Sequence, residues 1–587
     1  MSADPKALLT DLLKTALKSV APDHADTPVL LERPKQASHG DFATNLALQL
    51  AKPLKRNPRE LAAMLLAELP ASKLVAKAEV AGAGFINFAL AADAKTAIVA
   101  GVLARGADFG RGAAKGVKVL VEFVSANPTG PLHVGHGRGA AYGASLSDVL
   151  AFAGFDVTRE YYVNDAGRQM DILALSTWLR YLALFGIEVA FPPNAYQGDY
   201  VTEMGRDMRD AHQDRFARVT AGQVLAGTPG LPPAERNDDE ARQQREEHLD
   251  ALIANAKRLL GDDYAWVHGF ALNEQLGDGR DDLGEFGVRF DKWFSEQSLF
   301  DTGLVERAVK QLEKQGHIYV QDGAKWFRSS AFGDEKDRVV QRENGLYTYF
   351  ASDIAYHLNK YERGFDRIID IWGADHHGYI PRVKGAIAAL GLPPEKLEVA
   401  LVQFAVLYRN GQKTSMSTRS GEFVTLRELR QEVGNDACRF FYVLRKSDQH
   451  LDFDLDLAKS QSNENPVYYV QYAHARVCSV LNQWGGEASE LAGADLGLLQ
   501  HERELALCAR LAAFPELVQN AAADHAPHQV AFYLKDLAAD FHGWYNAERM
   551  LVEDEALKLA RLALAGAVRQ VLASGLALLG VSAPESM

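Results

Sequence analysis

The sequence predicts a multidomain α/β protein in which a split, doubly wound parallel sheet of the Rossmann type carries a large insertion. An N-terminal α+β domain precedes this sheet and a C-terminal all-α helical bundle follows it. Two strand–helix–strand patterns, at residues 117–163 and 367–408, predict the two halves of the sheet. From about residue 456, alanine and leucine recur at helical spacing to the end. The chain has 587 residues, which suits several domains of about 100 to 200 residues each.

The composition excludes several classes of protein. Hydrophobic residues make up 47% of the chain and charged residues 24%, which is ordinary for folded soluble domains. No run of about 18 apolar residues occurs, and the amphipathic N-terminus lacks the apolar core of a secretory signal. The cysteines, Cys438, Cys478 and Cys508, are too far apart for a disulfide framework or a Cys-x-x-Cys zinc site. We expect a cytoplasmic protein with no membrane partner and no zinc.

Residues 1–112 are predicted to form the N-terminal domain. Helical patterns flank an alternating apolar segment, GFINFAL, and the glycine-rich stretch 105–116 predicts a linker. Residues 1–110 contain 13 Lys and Arg against 11 Asp and Glu, a net charge of +2 in a chain whose total is −14. A basic cluster within this segment predicts contact with nucleic acid, although an ordinary solvated helix face explains it equally well. The cluster is Lys52, Lys55, Arg56 and Arg59, of which the first three are predicted as tRNA contacts.

Residues 113–455 are predicted to form the central domain. A continuous apolar run at 117–124 is typical of a buried parallel strand. A loop containing two prolines follows, and then a helix over about 136–152 and a strand over 155–163. This strand–helix–strand unit begins a doubly wound, nucleotide-binding sheet.

The second half of the sheet begins with RIIDIWG at 367–373. It continues through a helix to EVALVQFAVLY, which we predict as one strand over 398–408. The insertion between the halves, about 165–345, contains a hydrophilic stretch at 227–248 that predicts a loop. Residues 456–587 follow as the predicted helical bundle.

The strongest chemical signal is the segment EFVSANPTGPLHVGHGRGA, Glu122–Ala140, where a strand gives way to a helix. Its histidines, His133 and His136, are three residues apart, so both rings lie on one side of the helix start. Gly135 and Gly137 allow a base or a phosphate to approach the backbone, and a helix N-terminus favours anions. The segment predicts a nucleotide triphosphate site without a Walker loop, although a His-x-x-His pair alone is more typical of a structural or zinc-binding site.

The same segment resembles the HIGH signature of class I aminoacyl-tRNA synthetases, and Ser125–Gly130 is similar to the version in arginyl-tRNA synthetases. Further segments resemble that family in the same order along the chain. They are QASHGDFATNLALQLAK and GFINF near the N-terminus, GADHHGYIPRVK at 373–384, SMSTRSGEFVTL at 415–426 and QSNENPVYYVQYAHAR at 461–476. On this ordered set the chain is identified as a member of the arginyl-tRNA synthetase family.

The resemblance implies ATP-dependent ligation of L-arginine to tRNA(Arg) through an arginyl-adenylate, with release of AMP and pyrophosphate, in translation. ATP, with Mg2+ on its phosphates, would bind between the HIGH segment and a KMSKS-like loop, and no dedicated protein site for the metal is implied. The arginine carboxylate attacks the α-phosphate in line, so positioning and charge stabilisation suffice without a protein nucleophile. The family also implies tRNA contacts by the N-terminal domain and anticodon binding by the helical bundle. We expect a monomer.

Four groups of residues carry the implied site. The ATP-binding residues are His133, Gly135, His136, Gly373, Asp375, His376, Met416 and Ser417. The arginine-binding residues are Glu122, Asn127, His136, Tyr349, Asp353 and Asp375. The tRNA-binding residues are Lys52, Lys55, Arg56, Tyr469, Tyr472 and Arg476. The catalytic residues are His133, His136, Lys413 and Arg419.

Arginine as the substrate requires a carboxylate that accepts two parallel hydrogen bonds from the planar guanidinium. Tyr349 and Asp353 are four residues apart on one predicted helical face, and the resemblance assigns both to the guanidinium. It assigns Asn127 and His136 to the α-amino and carboxylate end of arginine, with Glu122 nearby. Without the resemblance, Asp353 would be interpreted as a helix N-cap or as part of a surface ion pair.

The KMSKS-like loop, residues 413–421, departs from the family pattern. Ser415 and Thr418 stand where the signature has its two lysines, and no lysine precedes the HIGH segment to replace the second one. Another cation must therefore meet the charge of the departing pyrophosphate. Lys413 is predicted as the principal pyrophosphate contact and Arg419 as the secondary one; a solvated loop lysine is the alternative for Lys413.

Several alternatives stay open on the sequence alone. Asp375 and the adjacent His376 and His377 suggest a metal, but neighbouring side chains on a helix point about 100 degrees apart and no third ligand has suitable spacing. The tyrosine stripe at 468–472 is more often core than a base-stacking surface. A class I synthetase for another amino acid and an inactive synthetase-derived RNA-binding protein are the alternative functions, and the incomplete KMSKS-like loop leaves the second one open.

Overall fold

The computed structural model describes residues 5–34, 36, 39–414 and 424–587. The N-terminal region is an α+β unit, as predicted. Its elements are α1 (Pro5–Val20), β1 (Phe42–Thr44), α2 (Leu46–Leu54), α3 (Pro58–Ala67), β2 (Val75–Ala81) and β3 (Phe85–Leu90), and α4 (Ala92–Arg105) follows them. The strands form an antiparallel sheet in the order β1-β3-β2. Leu13, Phe42 and Phe88 are buried between this sheet and the helices.

The central region is built on a five-stranded sheet in which every pairing is parallel. Its strands are β4 (Lys118–Glu122), β5 (Asp156–Val163), β6 (Lys292–Ser295), β10 (Arg367–Gly373) and β11 (Leu397–Val402). Their order is β11-β10-β4-β5-β6, so the two predicted halves meet where β10 pairs with β4. This order confirms the split, doubly wound sheet.

Helices and two smaller sheets surround the central sheet. The helices are α5 (Val134–Phe152), α6 (Arg168–Ala183), α7 (Asp199–His212), α8 (Ala221–Val224), α9 (Asp239–Leu260), α10 (Asp263–Glu285), α11 (Gln297–Asp301), α12 (Leu304–Lys314), α13 (Tyr349–Glu362), α14 (Ile380–Ala389), α15 (Leu426–Val433), α16 (Asn435–Tyr442) and α17 (Leu455–Lys459). One small sheet contains β7 (Ile318–Gln321), β8 (Ala324–Phe327) and β9 (Arg338–Gln341). The other contains β12 (Ala405–Arg409), β13 (Gln412–Lys413) and β14 (Leu451–Asp454).

The structure differs from the sequence prediction in three places. Residues 398–408 form two strands, because the chain leaves the central sheet at Gln403, whose amide donates to the carbonyl of Ser447. β6 lies inside the predicted insertion yet extends the central sheet, and its four residues are too short for a periodic signal. The second half of the predicted loop 227–248 is helical, because Asp238 caps α9 and the first turns of α9 are mostly exposed.

The C-terminal region is helical, as predicted. Its helices are α18 (Pro466–Trp484), α19 (Ala488–Leu491), α20 (Glu502–Ala523), α21 (His528–Ala547) and α22 (Glu555–Leu578). By length and composition α22 could cross a membrane, but 72% of its apolar window is buried inside the structure, as in the core helix of a bundle. α4 packs against α20 and α22, where Val99 and Val102 are buried. This helix of the predicted N-terminal domain therefore shares the core of the bundle.

Candidate active site

The paired histidines mark the start of α5. His133 is the N-cap residue: its Nδ1 accepts a hydrogen bond from the Gly135 amide (3.1 Å), and Nδ1 of His136 accepts one from the His133 amide (3.2 Å). The two rings stack with their centroids 3.7 Å apart. Burial lowers the pKa of both, that of His136 to about 3 with help from the neighbouring His133. Both rings are therefore neutral at pH 7, and these acceptor roles assign the ring proton to Nε2.

The histidines line a cleft of about 460 Å³ at the carboxyl edge of β4 and β10. We call it the histidine cleft. Seven predicted residues line it: Asn127, His133, Gly135, His136, Gly373, Asp375 and His376. A Cβ at Gly135 would come within 2.8 Å of the His133 ring, so this close approach requires glycine. The strand order reverses between β4 and β10, which is where doubly wound sheets bind their ligands.

The lining also includes residues that the sequence did not predict for the site, among them Asn164, Trp372 and Phe404. Phe404 stands between β11 and β12 and is 48% exposed, which is high for a large apolar side chain. Its only sequence signal was membership of an apolar run, and that signal predicts a core position. An exposed aromatic ring in a cleft offers a surface on which a flat base can stack.

The residues on either side of the KMSKS-like segment lie in defined positions. Residues 415–423 lie outside the described residues, and with them Met416, Ser417 and Arg419. Immediately after this gap, Thr425 forms an isolated antiparallel bridge with His133. Before the gap, Lys413 is exposed on β13. The histidines and the end of the KMSKS-like segment, which are far apart in sequence, therefore adjoin in the fold.

The predicted guanidinium residues lie on α13. Tyr349 is its first residue and is 63% exposed, and Asp353 lies one turn further on. The N-cap is Thr348, so Asp353 is no helix cap, and its carboxylate accepts a hydrogen bond from the Tyr379 hydroxyl. Burial raises the pKa of Asp353. Neither residue is part of the lining of the histidine cleft.

A second buried carboxylate faces the same region. Glu296 follows β6 at the carboxyl edge of the sheet and is 3% exposed. Its Oε1 accepts a hydrogen bond from Ser352, the neighbour of Asp353, at 2.9 Å, whereas Oε2 accepts no hydrogen bond of ordinary geometry within the described part of the chain and has the buried Tyr162 hydroxyl as its polar neighbour. Burial raises the pKa of Glu296 to about 7. Nothing in the sequence marks Glu296 as a site residue, because it lies in the insertion and belongs to no motif.

Both carboxylate oxygens of Glu122 already accept hydrogen bonds within the protein. One of its carboxylate oxygens accepts a hydrogen bond from Lys360 Nζ at 2.5 Å and the other from Ser125 Oγ at 2.9 Å. Lys360 also donates to Asp370 at 2.7 Å, and it lowers the pKa of Asp370 to about 2 although burial acts in the opposite direction. Direct contact between Glu122 and arginine remains a prediction.

The predicted tRNA contacts form two separate surfaces. Lys52, Lys55 and Arg56 are exposed at the end of α2. The stripe on α18 is half-buried: the Arg476 guanidinium lies 4.4 Å from the centre of the Tyr472 ring, and Tyr469 packs on His542 at 4.6 Å. The stripe thus packs partly on its own bundle while keeping partly accessible faces.

Metal ligands are not grouped in the part of the chain that the structure describes: no cluster of three or more His, Cys, Asp or Glu could hold an ion there. Asp375 and His376 are both exposed, with His376 Nε2 3.6 Å from Asp375 Oδ2. They occupy a 3-10 turn, Ala374–Tyr379, at the rim of the histidine cleft. One carboxylate at this rim suits a cation that arrives already bound to phosphates.

Three family profiles match the chain. The arginyl tRNA synthetase N terminal domain matches residues 7–90, the catalytic domain of class I (R) tRNA synthetases matches 98–181 and 286–451, and the DALR anticodon binding domain matches 470–587. Together with the split parallel sheet and the histidines at the start of α5, these matches define a class I aminoacyl-tRNA synthetase.

Full-length comparisons narrow the class. The chain is 88% identical over 587 residues to the arginine–tRNA ligase of Azoarcus sp. (strain BH72), and 73% identical over 588 residues to that of Dechloromonas aromatica (strain RCB), with 100% of each chain covered. The solved Thermus thermophilus arginyl-tRNA synthetase aligns with a TM-score of 0.72 at 25% identity, over 99% of this chain and 100% of that one. The chain belongs to the arginine–tRNA ligase family.

Proposed function

We infer that the chain ligates arginine to tRNA with ATP, as its family does, and that ATP and arginine meet in the histidine cleft. The single observation that carries the site is the stacked His133–His136 pair, which shares one cleft with Gly373 and Asp375 and is bridged to Thr425 behind the KMSKS-like loop. Neither a synthetase for another amino acid nor an inactive RNA-binding protein is favoured, given 88% identity over the full length to an arginine–tRNA ligase.

The histidines act as neutral hydrogen-bond donors in this proposal. Both Nδ1 atoms accept backbone hydrogen bonds, so each ring carries its proton on Nε2, and in this proposal these Nε2–H groups donate to the phosphate oxygens of ATP. An oxygen of the arginine carboxylate attacks the α-phosphorus, the bond to the bridging oxygen breaks, and pyrophosphate departs. A ribose hydroxyl at the 3′ end of the tRNA then attacks the arginyl carbonyl and AMP leaves. Positioned donors lower both barriers by stabilising the charge that develops on oxygen.

Mg2+ enters bound to ATP, whose phosphate charge it neutralises. Gly135 and Gly373 give the nucleotide access to the backbone, and Phe404 offers the base an aromatic face. Met416, Ser417 and Arg419 stay predicted ATP and pyrophosphate contacts. Asn127 and His136 are proposed for the α-amino and carboxylate end of arginine, with Asp375 at the rim.

The guanidinium pocket that we propose consists of Tyr349, Asp353 and Glu296. The buried Oε2 of Glu296 supports this proposal, because it accepts no hydrogen bond of ordinary geometry among the described residues and a bound cation would satisfy it. The hydroxyl of Tyr162 lies in the same region: burial raises its pKa, and so do the nearby carboxylates of Glu296, Asp353 and Glu122. A cluster of negative charge suits the permanently charged side chain of arginine.

The pH dependence of arginine binding tests this pocket. Bound guanidinium stabilises the ionised form of Glu296, so arginine binding releases a proton wherever free Glu296 is protonated, below its pKa of about 7. The arginine KM is expected to rise as pH falls below 7, by up to about tenfold per unit, and to be constant above about pH 8. Arginine-dependent pyrophosphate exchange between pH 5.5 and 8.5 measures it.

Two variants complete this experiment. Glu296→Gln is expected to flatten the pH dependence of the arginine KM, because the titrating group is gone. Glu306→Gln, which removes an exposed carboxylate on α12, should keep the wild-type profile. A profile that Glu296→Gln leaves unchanged would exclude Glu296 from the pocket.

For tRNA we propose two contact surfaces. The first is Lys52, Lys55 and Arg56 in the N-terminal domain, residues 1–112, and the second is Tyr469, Tyr472 and Arg476 in the anticodon-binding domain, residues 456–587. Exposed cations fit phosphates, and half-exposed tyrosines fit unstacked anticodon bases. We assign the catalytic domain to residues 113–455. The proposed partner is tRNA(Arg), and the proposed state of the protein is a cytoplasmic monomer.

Replacing Lys52, Lys55 and Arg56 together by alanine is expected to weaken tRNA binding and to make its salt dependence shallower. The slope of log K against log salt should fall by about 0.9 for each phosphate that the variant no longer neutralises. Filter binding measures this slope between about 50 and 300 mM salt, the range over which phosphate contacts change the affinity. Lys14→Ala with Lys18→Ala, on the exposed face of α1, is the matched control and should leave the slope unchanged. If both variants have the same slope, the three cations at the end of α2 do not contact the tRNA.

A further inference from the structure

The chain is strained directly after β4. Val124 and Ser125 have positive φ angles of 68° and 43°. Among the described residues seven non-glycine positions have positive φ, and Val124 is the one whose side chain branches at Cβ. Such a conformation is a genuine outlier for a β-branched residue and persists only where the surroundings hold it.

Several contacts hold this strained turn from one side. Ser125 Oγ donates to Glu122 Oε1 at 2.9 Å and accepts from the Tyr162 amide at 3.1 Å. The Ser125 carbonyl accepts from the side chain of Asn164 at 3.2 Å. The turn lines the histidine cleft and leads directly to Asn127. Its geometry therefore sets where Asn127 stands.

Lys360 connects the same turn to the other side of the arginine site. Its ammonium group is fully buried and bonds both Glu122, at 2.5 Å, and Asp370, at 2.7 Å. The second oxygen of Asp370 lies 3.0 Å from Nε2 of His357, whose Nδ1 is 2.8 Å from the carbonyl oxygen of Asp353. One chain of contacts thus runs from Ser125 to Asp353.

We propose that Lys360 is a positioning residue for arginine activation: it ties the strained Val124–Ser125 turn, through Glu122, to helix α13 and so fixes the spacing between Asn127 and Asp353. This inference rests on the proposed guanidinium pocket. Buried ion pairs are weak sources of stability, because desolvation offsets much of the attraction, but they have one defined geometry. A defined geometry is what Lys360 needs if it sets the distance between Asn127 and Asp353.

A second ion pair, at the C-cap of α13, provides the matched control. Arg363 pairs with Glu160, which also accepts a hydrogen bond from Tyr356 at 2.6 Å. This pair holds the end of α13 against β5 and forms no side-chain hydrogen bond with Ser125 or Glu122 in the described structure, and Glu122 acts on Arg363 through its charge and not through a hydrogen bond. Loss of either cation leaves a buried carboxylate beside this helix without its cationic partner, so a difference between the two variants reports on the turn.

The experiment compares Lys360→Met with Arg363→Met by single-turnover arginyl-adenylate formation. Lys360→Met is expected to raise the arginine KM about tenfold and to lower the maximal rate about tenfold, which is a typical coupling between residues in one network. The ATP KM should stay within about threefold of the wild-type value. Arg363→Met should lose thermal stability but keep the arginine KM within about threefold. Equal kinetic effects of the two variants would overturn the proposal.

A double-mutant cycle tests the chain of contacts itself. Ser125→Ala should raise the arginine KM on its own, and adding it to Lys360→Met should cause less than about a twofold further loss. Effects that multiply would contradict the relay. If Lys360→Met does not fold, Ser125→Ala decides alone, because it removes one hydroxyl and no charge, and an unchanged arginine KM overturns the proposal. A normal arginine KM in Lys360→Met beside a raised one in Asp353→Asn rejects this inference and leaves the pocket intact.

Discussion

Asp353→Asn is expected to raise the arginine KM by about 30- to 4,000-fold, the equivalent of roughly 2 to 5 kcal/mol for removing one partner of a buried charge pair. The substitution keeps the shape of the side chain and its contact with the Tyr379 hydroxyl, but it removes the charge that faces the guanidinium. The ATP KM should change little, because Asp353 does not line the histidine cleft. Pyrophosphate exchange with arginine and ATP varied separately measures both constants.

The control for this substitution lies on the same helix. Glu362 at the far end of α13 forms a surface ion pair with Arg307 at 2.6 Å. Glu362→Gln should therefore leave the arginine KM unchanged, since exposed pairs contribute little. If Asp353→Asn shifts the two KM values equally, Asp353 lies outside the amino-acid pocket.

Lys413→Ala is expected to slow arginyl-adenylate formation by about 100- to 1,000-fold, the usual cost of losing a preorganised donor to developing charge. Lys413 is exposed on β13, two residues before the segment that stands in for KMSKS, and its charge would meet the departing pyrophosphate. Arginine binding should barely change. Single-turnover kinetics at saturating ATP and tRNA isolates this step.

Two further variants decide how the charge is shared. Arg419→Ala is expected to show a smaller loss than Lys413→Ala if Lys413 is the principal contact. Lys459→Ala, an exposed lysine that follows the neighbouring strand β14, should react at the wild-type rate. A change of less than about threefold in Lys413→Ala would be far below the range for a charge-stabilising donor and would end its proposed role. A large loss in Arg419→Ala alone would reverse the two assignments.

Local pattern was sufficient for most of the fold. The apolar run at 117–124, the strand 367–373 and the helical spacing after 456 each follow from which faces must be buried, and the structure confirms them. The prediction was wrong where pattern is ambiguous. The run 398–408 is apolar throughout, so nothing in its periodicity marks the change of sheet at Gln403. That change is made by the hydrogen bond from the Gln403 amide to the Ser447 carbonyl and by the pairing of β12 with β14.

Some residues of the candidate site could be predicted from the sequence and others could not. His133, Gly135, His136 and Asn127 lie within one short segment, and that segment was recognisable from the residues and their resemblance to a family. Glu296 and Phe404 belong to no such segment. They reach the site because β6 and β11 end at the same sheet edge as β4. Their roles could not be read from neighbours in the chain.

The sequence by itself determined the class of fold, the order of the three regions and the segment that we propose binds nucleotide, because burial and helix capping act between residues that are close in the chain. Only the tertiary structure decided the tautomer of the histidines, the buried network around Lys360 and the strained turn at Val124. Each of these depends on atoms from separate elements meeting within hydrogen-bonding distance. Sequence spacing carries no information about such distances, whereas packing of the sheet and α13 fixes them.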